Sequence, residues 1–114
     1  MLNRLSDALD FQAQALSLRS ERQRLIASNI ANADTPGYRT RDINFQAEFQ
    51  SLIESAGPTV IEPDGLPAKN DGNNVNMDRE ARLLAENALR YNLASTLARS
   101  EIRTIRSAIQ DGKS

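Results

Sequence analysis

The side chains available for acid–base or metal chemistry in this sequence are few. Among its 114 residues there is no His and no Cys. That inventory removes imidazole bases, thiol nucleophiles, disulfides and the usual zinc ligand sets. An enzyme would have to work with carboxylates, Arg, Ser and Thr alone. Asp7 with Asp10, and Glu48 with Glu54, are the carboxylate pairs to weigh. Both read as solvated helix surface, with no pocket-forming element around them. Asp71-Gly72-Asn73-Asn74 shares its oxygen-rich character with a calcium loop, but its Gly is misplaced and no Glu closes the loop at the twelfth position. A surface turn is the better reading. Arg19, Arg22 and Arg24, with Glu21 among them, lack the aromatic platform or module that nucleic-acid binding requires. These residues point to no catalytic, metal or cofactor site and no nucleic-acid partner.

Charge and composition agree. Fourteen basic side chains face 15 acidic ones, so no bulk field favours nucleic acid or a membrane surface. The distribution is uneven: residues 34–77 hold Arg39, Arg41 and Lys69 against seven acids. Nearly all the cations are Arg, which suits planar, bidentate pairing with carboxylates at interfaces. The N-terminus has no basic flank, unbroken apolar stretch or small-residue cleavage site, so no cleaved secretory signal is expected. No stretch approaches the ~20 apolar residues of a membrane span, so no direct membrane insertion is expected.

The elements that must position any functional residue are long. Leu2 to Ala33 contains neither Pro nor Gly and predicts one helix, about 43 Å from Leu5 to Ala33 at ~1.5 Å per residue. On a wheel of ~100° per residue, Leu2, Leu5, Leu9, Leu16, Ile26 and Ile30 share one side. Phe11, Leu18 and Leu25 fall on the opposite side. Ile43, Phe45, Phe49, Leu52 and Ile53 suggest a short amphipathic helix opened by Asp42 or Asn44. Residues 56–74 are rich in Gly, Pro, Asn and Asp, so regular structure should fail there, with Thr59–Glu62 as a brief extended piece. A second long helix, capped by Asn76 or Asp78, runs to about Gln110 and stops at Gly112. Its Leu84, Ala88, Tyr91, Ser95, Ala98, Ile102, Ile105 and Ile109 alternate steps of four and three, a coiled-coil seam. Leu89, Leu93 and Leu97 lie on roughly the reverse side.

The expected fold is therefore all-α. Two long helices pack as a coiled-coil-like hairpin, joined by a turn, a short helix and an irregular middle segment, with divisions at 1–33, 34–77 and 78–114. Between helix and middle segment stands Ser28-Asn29-Ile30-Ala31-Asn32-Ala33-Asp34-Thr35-Pro36-Gly37-Tyr38. Pro36 disfavours helical geometry at Thr35, Gly37 tolerates a tight turn, and Asp34 and Thr35 can bond nearby backbone. Asn29 and Asn32 lie three apart, so both amides project from one side of the helix end. The side chains of Asn29, Asn32, Thr35 and Tyr38 could hydrogen-bond across subunits where the backbone leaves the helix.

Each long helix is apolar on two faces, and one seam uses only one of them. Burying a Leu or Phe is worth about 1.5–3 kcal/mol. The spare residues Phe11, Leu18, Leu25, Leu89, Leu93 and Leu97 thus represent a sum comparable to a small domain's stability of roughly 5–15 kcal/mol. Helices of this kind are interior elements, and the interior is expected to come from other chains. The alternatives are a four-helix homodimer, or a middle segment folded back over the spare faces, which could cover one face but hardly both.

Two stretches carry a family resemblance. The first is Arg19 to Tyr38, with its core Asn-Ile-Ala-Asn-Ala-Asp-Thr-Pro-Gly-Tyr at 29–38. The second is Asp71-Gly72-Asn73-Asn74-Val75-Asn76-Met77-Asp78-Arg79-Glu80, followed by Asn87-Ala88-Leu89-Arg90-Tyr91. The first resembles the signature shared by rod and hook proteins of the bacterial flagellar axis, and the pairing resembles the proximal rod (FlgB) family. The resemblance implies export through the flagellar type III apparatus without signal cleavage. It also implies polymerisation into a helical tube, with other rod subunits and the adapter joining the membrane ring to the rod as partners. Pro36 and Gly37 belong to the assembly motif on this reading. The segment between the motifs is short for the family, which implies a small outer domain. The runner-up reading is a non-flagellar helical adapter or homo-oligomeric coiled coil.

Overall fold

Two antiparallel helices dominate the molecule, which measures 70 × 26 × 17 Å. The computed structural model describes residues 2–50 and 59–112. Leu52, Ile53 and Glu54 lie outside the described residues, as do the side chains of Leu2, Leu5 and Phe49. The first helix, α1, spans Leu2–Ala31. It ends two residues before the sequence-based limit because Asn32 N–H already bonds both Ser28 O and Asn29 O, tightening the last turn. Thr35 N–H then bonds Asn32 O, and Tyr38 N–H bonds Thr35 O. Gly37, at φ 74°, takes the left-handed conformation that the turn requires.

The middle segment differs from expectation at Ile43. Instead of opening the short helix, Asp42–Ile43 form a strand, β1, that pairs antiparallel with β2, Val60–Ile61. The short helix α2 is Phe45–Gln50, capped by Asn44, whose side-chain oxygen accepts from Ala47 N–H. The last helix, α3, spans Met77–Asp111. Its cap is Asn76, accepting from Arg79 N–H, and Gly112 closes its far end.

The α3 seam faces α1 in part: Leu84, Ala88, Ser95, Ala98 and Ile105 are half-buried, and Glu80 and Asn87 on the same side are buried, whereas Tyr91, Ile102 and Ile109 of the seam are exposed. The core proper sits elsewhere. Leu18, Leu25 and Ile43 form it, with Phe45 packed on its edge and the Arg19 guanidinium 4.1 Å from the Phe45 ring centre. This corrects the expectation that Leu18 and Leu25 lack a partner within the chain. The strand Asp42–Ile43 and helix α2 fold back over that face of α1, so both leucines are less than a tenth exposed. Ile26, on the other face, is buried as well.

Candidate assembly surface and the polar knot behind it

The two motif stretches meet. Asn29 is 1% exposed at the end of α1, and its side chain is fully engaged within the chain. Its amide donates to Arg41 O at 2.8 Å and to Glu80 Oε2 at 3.2 Å. Its oxygen accepts from Arg41 N–H and from the Tyr38 hydroxyl, each at 3.0 Å. Asn73 donates to Asn32 O at 2.9 Å and Thr35 O at 2.8 Å, adding a second donor to each of two carbonyls of the turn. Asn74 Oδ1 accepts from Thr40 N–H, while Thr40 Oγ1 donates to Asn74 O. Lys69 Nζ reaches Ala33 O. Gly72, at φ 86°, lies close enough to the turn that a Cβ there would stand 3.6 Å from Gly37 Cα.

Within the chain, Asn29, Asn32, Thr35 and Tyr38 already bond one another and nearby backbone. Asn32 bonds Ser28 O through its amide and the Thr35 hydroxyl through its oxygen. Tyr38 lies 3.3 Å from Ser28 Oγ besides bonding Asn29. The bonds of Asn29 and Asn73 tie the turn after α1 to the segment that leads into α3. Pro36 and Gly37 are exposed at the tip of that turn.

An ionic layer backs the knot. Arg22 grips Asp42 with two bonds, at 3.0 and 3.2 Å, and Arg79 bridges Asp42 at 3.6 Å and Glu80 at 2.8 Å. Glu80 is completely buried, yet its charge is held by Arg79 and Asn29 and by the N-terminal end of α3. Burial, reinforced by the nearby Arg90 and Arg22 charges, lowers the Arg19 pKa. On the exposed side of α1, the hydrogen bond from Arg24 pulls the Glu21 carboxyl below its ordinary value.

Further along α3 the second apolar face stands open. Leu89 is 71% exposed, Leu93 60% and Leu97 55%, and Phe11 on α1 is exposed as well. Four-residue steps put the three leucines on one stripe. Between that stripe and the seam lie Arg99, Arg103 and Arg106. Beside Asn87, whose Oδ1 has no donor among the described residues, a small cleft of about 180 Å³ is lined by Ser20, Gln23, Ala88, Tyr91 and Asn92. Among the described residues, no group of acids could hold a metal ion, and no helix is long and apolar enough to cross a membrane.

One of the two stretches that the knot joins, residues 29–38, lies within a family match. The flagella basal body rod protein family matches residues 9–39. The flagellar basal body rod protein FlgB of Salmonella typhimurium is 37% identical over 137 aligned positions, covering 98% of this chain and 99% of the relative. The FlgB proteins of Yersinia ruckeri and Escherichia coli are 35% and 34% identical over the same length. An alignment of 137 positions against 114 residues leaves at least 23 positions without a residue of this chain.

Proposed function

The chain belongs to the FlgB family of flagellar basal-body rod proteins and is a structural subunit of that rod, and from this we propose how it is held there. The stripe Leu89, Leu93 and Leu97, with Phe11, packs against neighbouring rod subunits, while the knot at residues 29–38 and 69–80 fixes the hairpin that presents it. The observation that carries this reading is the exposure of the three leucines on a helix whose opposite face is already occupied. Leaving them in water forfeits about 1.5–3 kcal/mol each. A heterologous contact that does not close generates a helical filament, the geometry of a rod. Leu18 and Leu25, enclosed by the middle segment, act by holding that segment against α1 rather than by touching a neighbour.

The same reading assigns the subunit a periplasmic place in the drive shaft and a non-catalytic role. It is exported unfolded through the flagellar type III apparatus without a cleaved signal. Its contacts are with other rod subunits and with the adapter that joins the membrane ring to the rod. Free in solution, the half of the hairpin away from the knot opens readily, because α3 there relies on a neighbour for one of its faces. Leu93→Asp tests the proposal. Leu93 is exposed, so the variant should fold and be exported as the parent is, but be missing from purified basal bodies and leave cells non-motile. Normal motility in a strain carrying only that variant would overturn it.

A further inference from the structure

We infer that the arginine arc of α3 seats the acidic segment ahead of that helix on a second copy of this chain. Arg99, Arg103 and Arg106 follow at steps of four and three residues, so their guanidinium groups share one face. With Thr96 and Ile102 they line an open groove of about 470 Å³. All three are exposed, and like Arg4, Arg39, Arg41 and Arg82 they make no ion pair among the described residues; they differ in standing together on one face. At the knot end the imbalance is reversed. Glu62 and Asp64 are exposed and likewise have no cationic partner among the described residues.

One molecule cannot bring these groups together. Lys69 is fastened to the knot through Ala33 O and Asn73 O, and five residues of chain let Asp64 stray no more than about 18 Å from it. Arg99 stands 22 residues beyond Met77 on a continuous helix, roughly 33 Å along the axis at ~1.5 Å per residue. The carboxylates of the acidic segment can therefore reach the arc only from another chain. A second copy offers them on a segment whose composition is acidic, with seven acids against three bases over residues 34–77. The arc also adjoins the leucine stripe, so a neighbour covering Leu93 and Leu97 lies within reach of Arg99 and Arg103. Such a contact is head to tail: one end of each copy meets the opposite end of the next. This rests on the proposed packing of subunits in the rod and adds which surface meets which. Exposed pairs of this type set register and salt dependence more than affinity.

The absence of native cysteine makes the contact testable in place. A chain carrying both Asp64→Cys and Arg103→Cys, treated with a short bis-maleimide in intact basal bodies, should give a ladder of linked copies. Either single variant should remain monomeric. A double variant that is incorporated, supports motility and stays monomeric overturns the contact and leaves rod membership standing. Linked species whose mass is not a multiple of this chain place another subunit in the groove and overturn it equally. Absence of the unaltered chain from purified basal bodies would instead overturn the rod reading, and this contact with it. Should the double variant fail to assemble, charge reversal decides. Arg103→Glu should slow swarm expansion about tenfold, and Asp64→Arg in the same chain should recover most of that loss. A combination no better than Arg103→Glu alone overturns the proposal.

Discussion

Replacing Asn29 with Ala should cost about 3 kcal/mol, because that side chain is the point at which both motifs are joined. Four hydrogen bonds are lost from a residue 1% exposed. They are not equal. Arg41 is exposed, so water can serve its freed backbone groups, and the Tyr38 hydroxyl keeps Ser28 Oγ as a neighbour. Glu80 cannot be rescued in this way: it is fully buried, and beside the helix end it keeps Arg79 at Oε1 while Oε2 loses its Asn29 donor. A buried polar group stranded without its partner costs about 1–3 kcal/mol, more when charged. Charging one such loss at Glu80 and a smaller one at the turn gives the total, a large fraction of the roughly 5–15 kcal/mol that holds a small domain. Asn32→Ala is the control, since its two side-chain bonds are local and the residue is half-buried; it should cost under about 1 kcal/mol. Urea unfolding followed by far-UV circular dichroism measures both, with hydrogen exchange at the Arg41 amide as a local report. If the two variants lie within about 0.5 kcal/mol of each other, the knot does not carry the energy assigned to it.

Two further substitutions test a buried amide and a left-handed glycine. Asn87→Leu should change stability by less than about 1 kcal/mol in either direction. The variant loses the amide's bonds to Arg19 O and Gln23 Oε1, but it also removes a buried oxygen that has no donor among the described residues, and the adjoining cleft has room for a larger apolar side chain, so the two effects offset; thermal unfolding of the variant checks this. Gly72→Ala should destabilise by about 1–2 kcal/mol through its left-handed backbone alone, as the added methyl meets Gly37 Cα at an ordinary 3.6 Å. Gly72→Asn, a residue that tolerates this conformation, should recover part of the loss in the same urea titration.

The long helices were legible because their signals are local. An unbroken run without Gly or Pro, a side chain able to cap, and steps of three and four depend only on neighbours in sequence. The α3 seam and the spare leucine stripe followed from the same arithmetic. Ile43 was misplaced for a related reason: with Phe45 and Phe49 it completes a helical pattern, and a two-residue strand has no period by which to be recognised. Its partner strand begins at Val60, 17 positions on. The fate of Leu18 and Leu25 depended on whether the middle segment folds back, which no wheel discloses. The knot was hardest to read. An Asn in a sequence announces a donor and an acceptor but not the carbonyl it will meet. The partners of Asn29 and Asn73 lie 51 and 38 positions away in Glu80 and Thr35. The pattern of polar residues at 71–80 signalled that something was built there, though not that it was built against residues 29–40.

Leu93 offers the most direct measurement. A single Leu93→Cys substitution in the otherwise cysteine-free chain puts a thiol at the centre of the exposed stripe, where maleimide labelling can be timed in the free subunit and in purified basal bodies. The packing proposed for the rod predicts fast labelling of the free chain and labelling slowed at least about tenfold after assembly. Equal rates in the two states would mean that this face stays open to water in the rod, and that the leucines are not what neighbouring subunits hold.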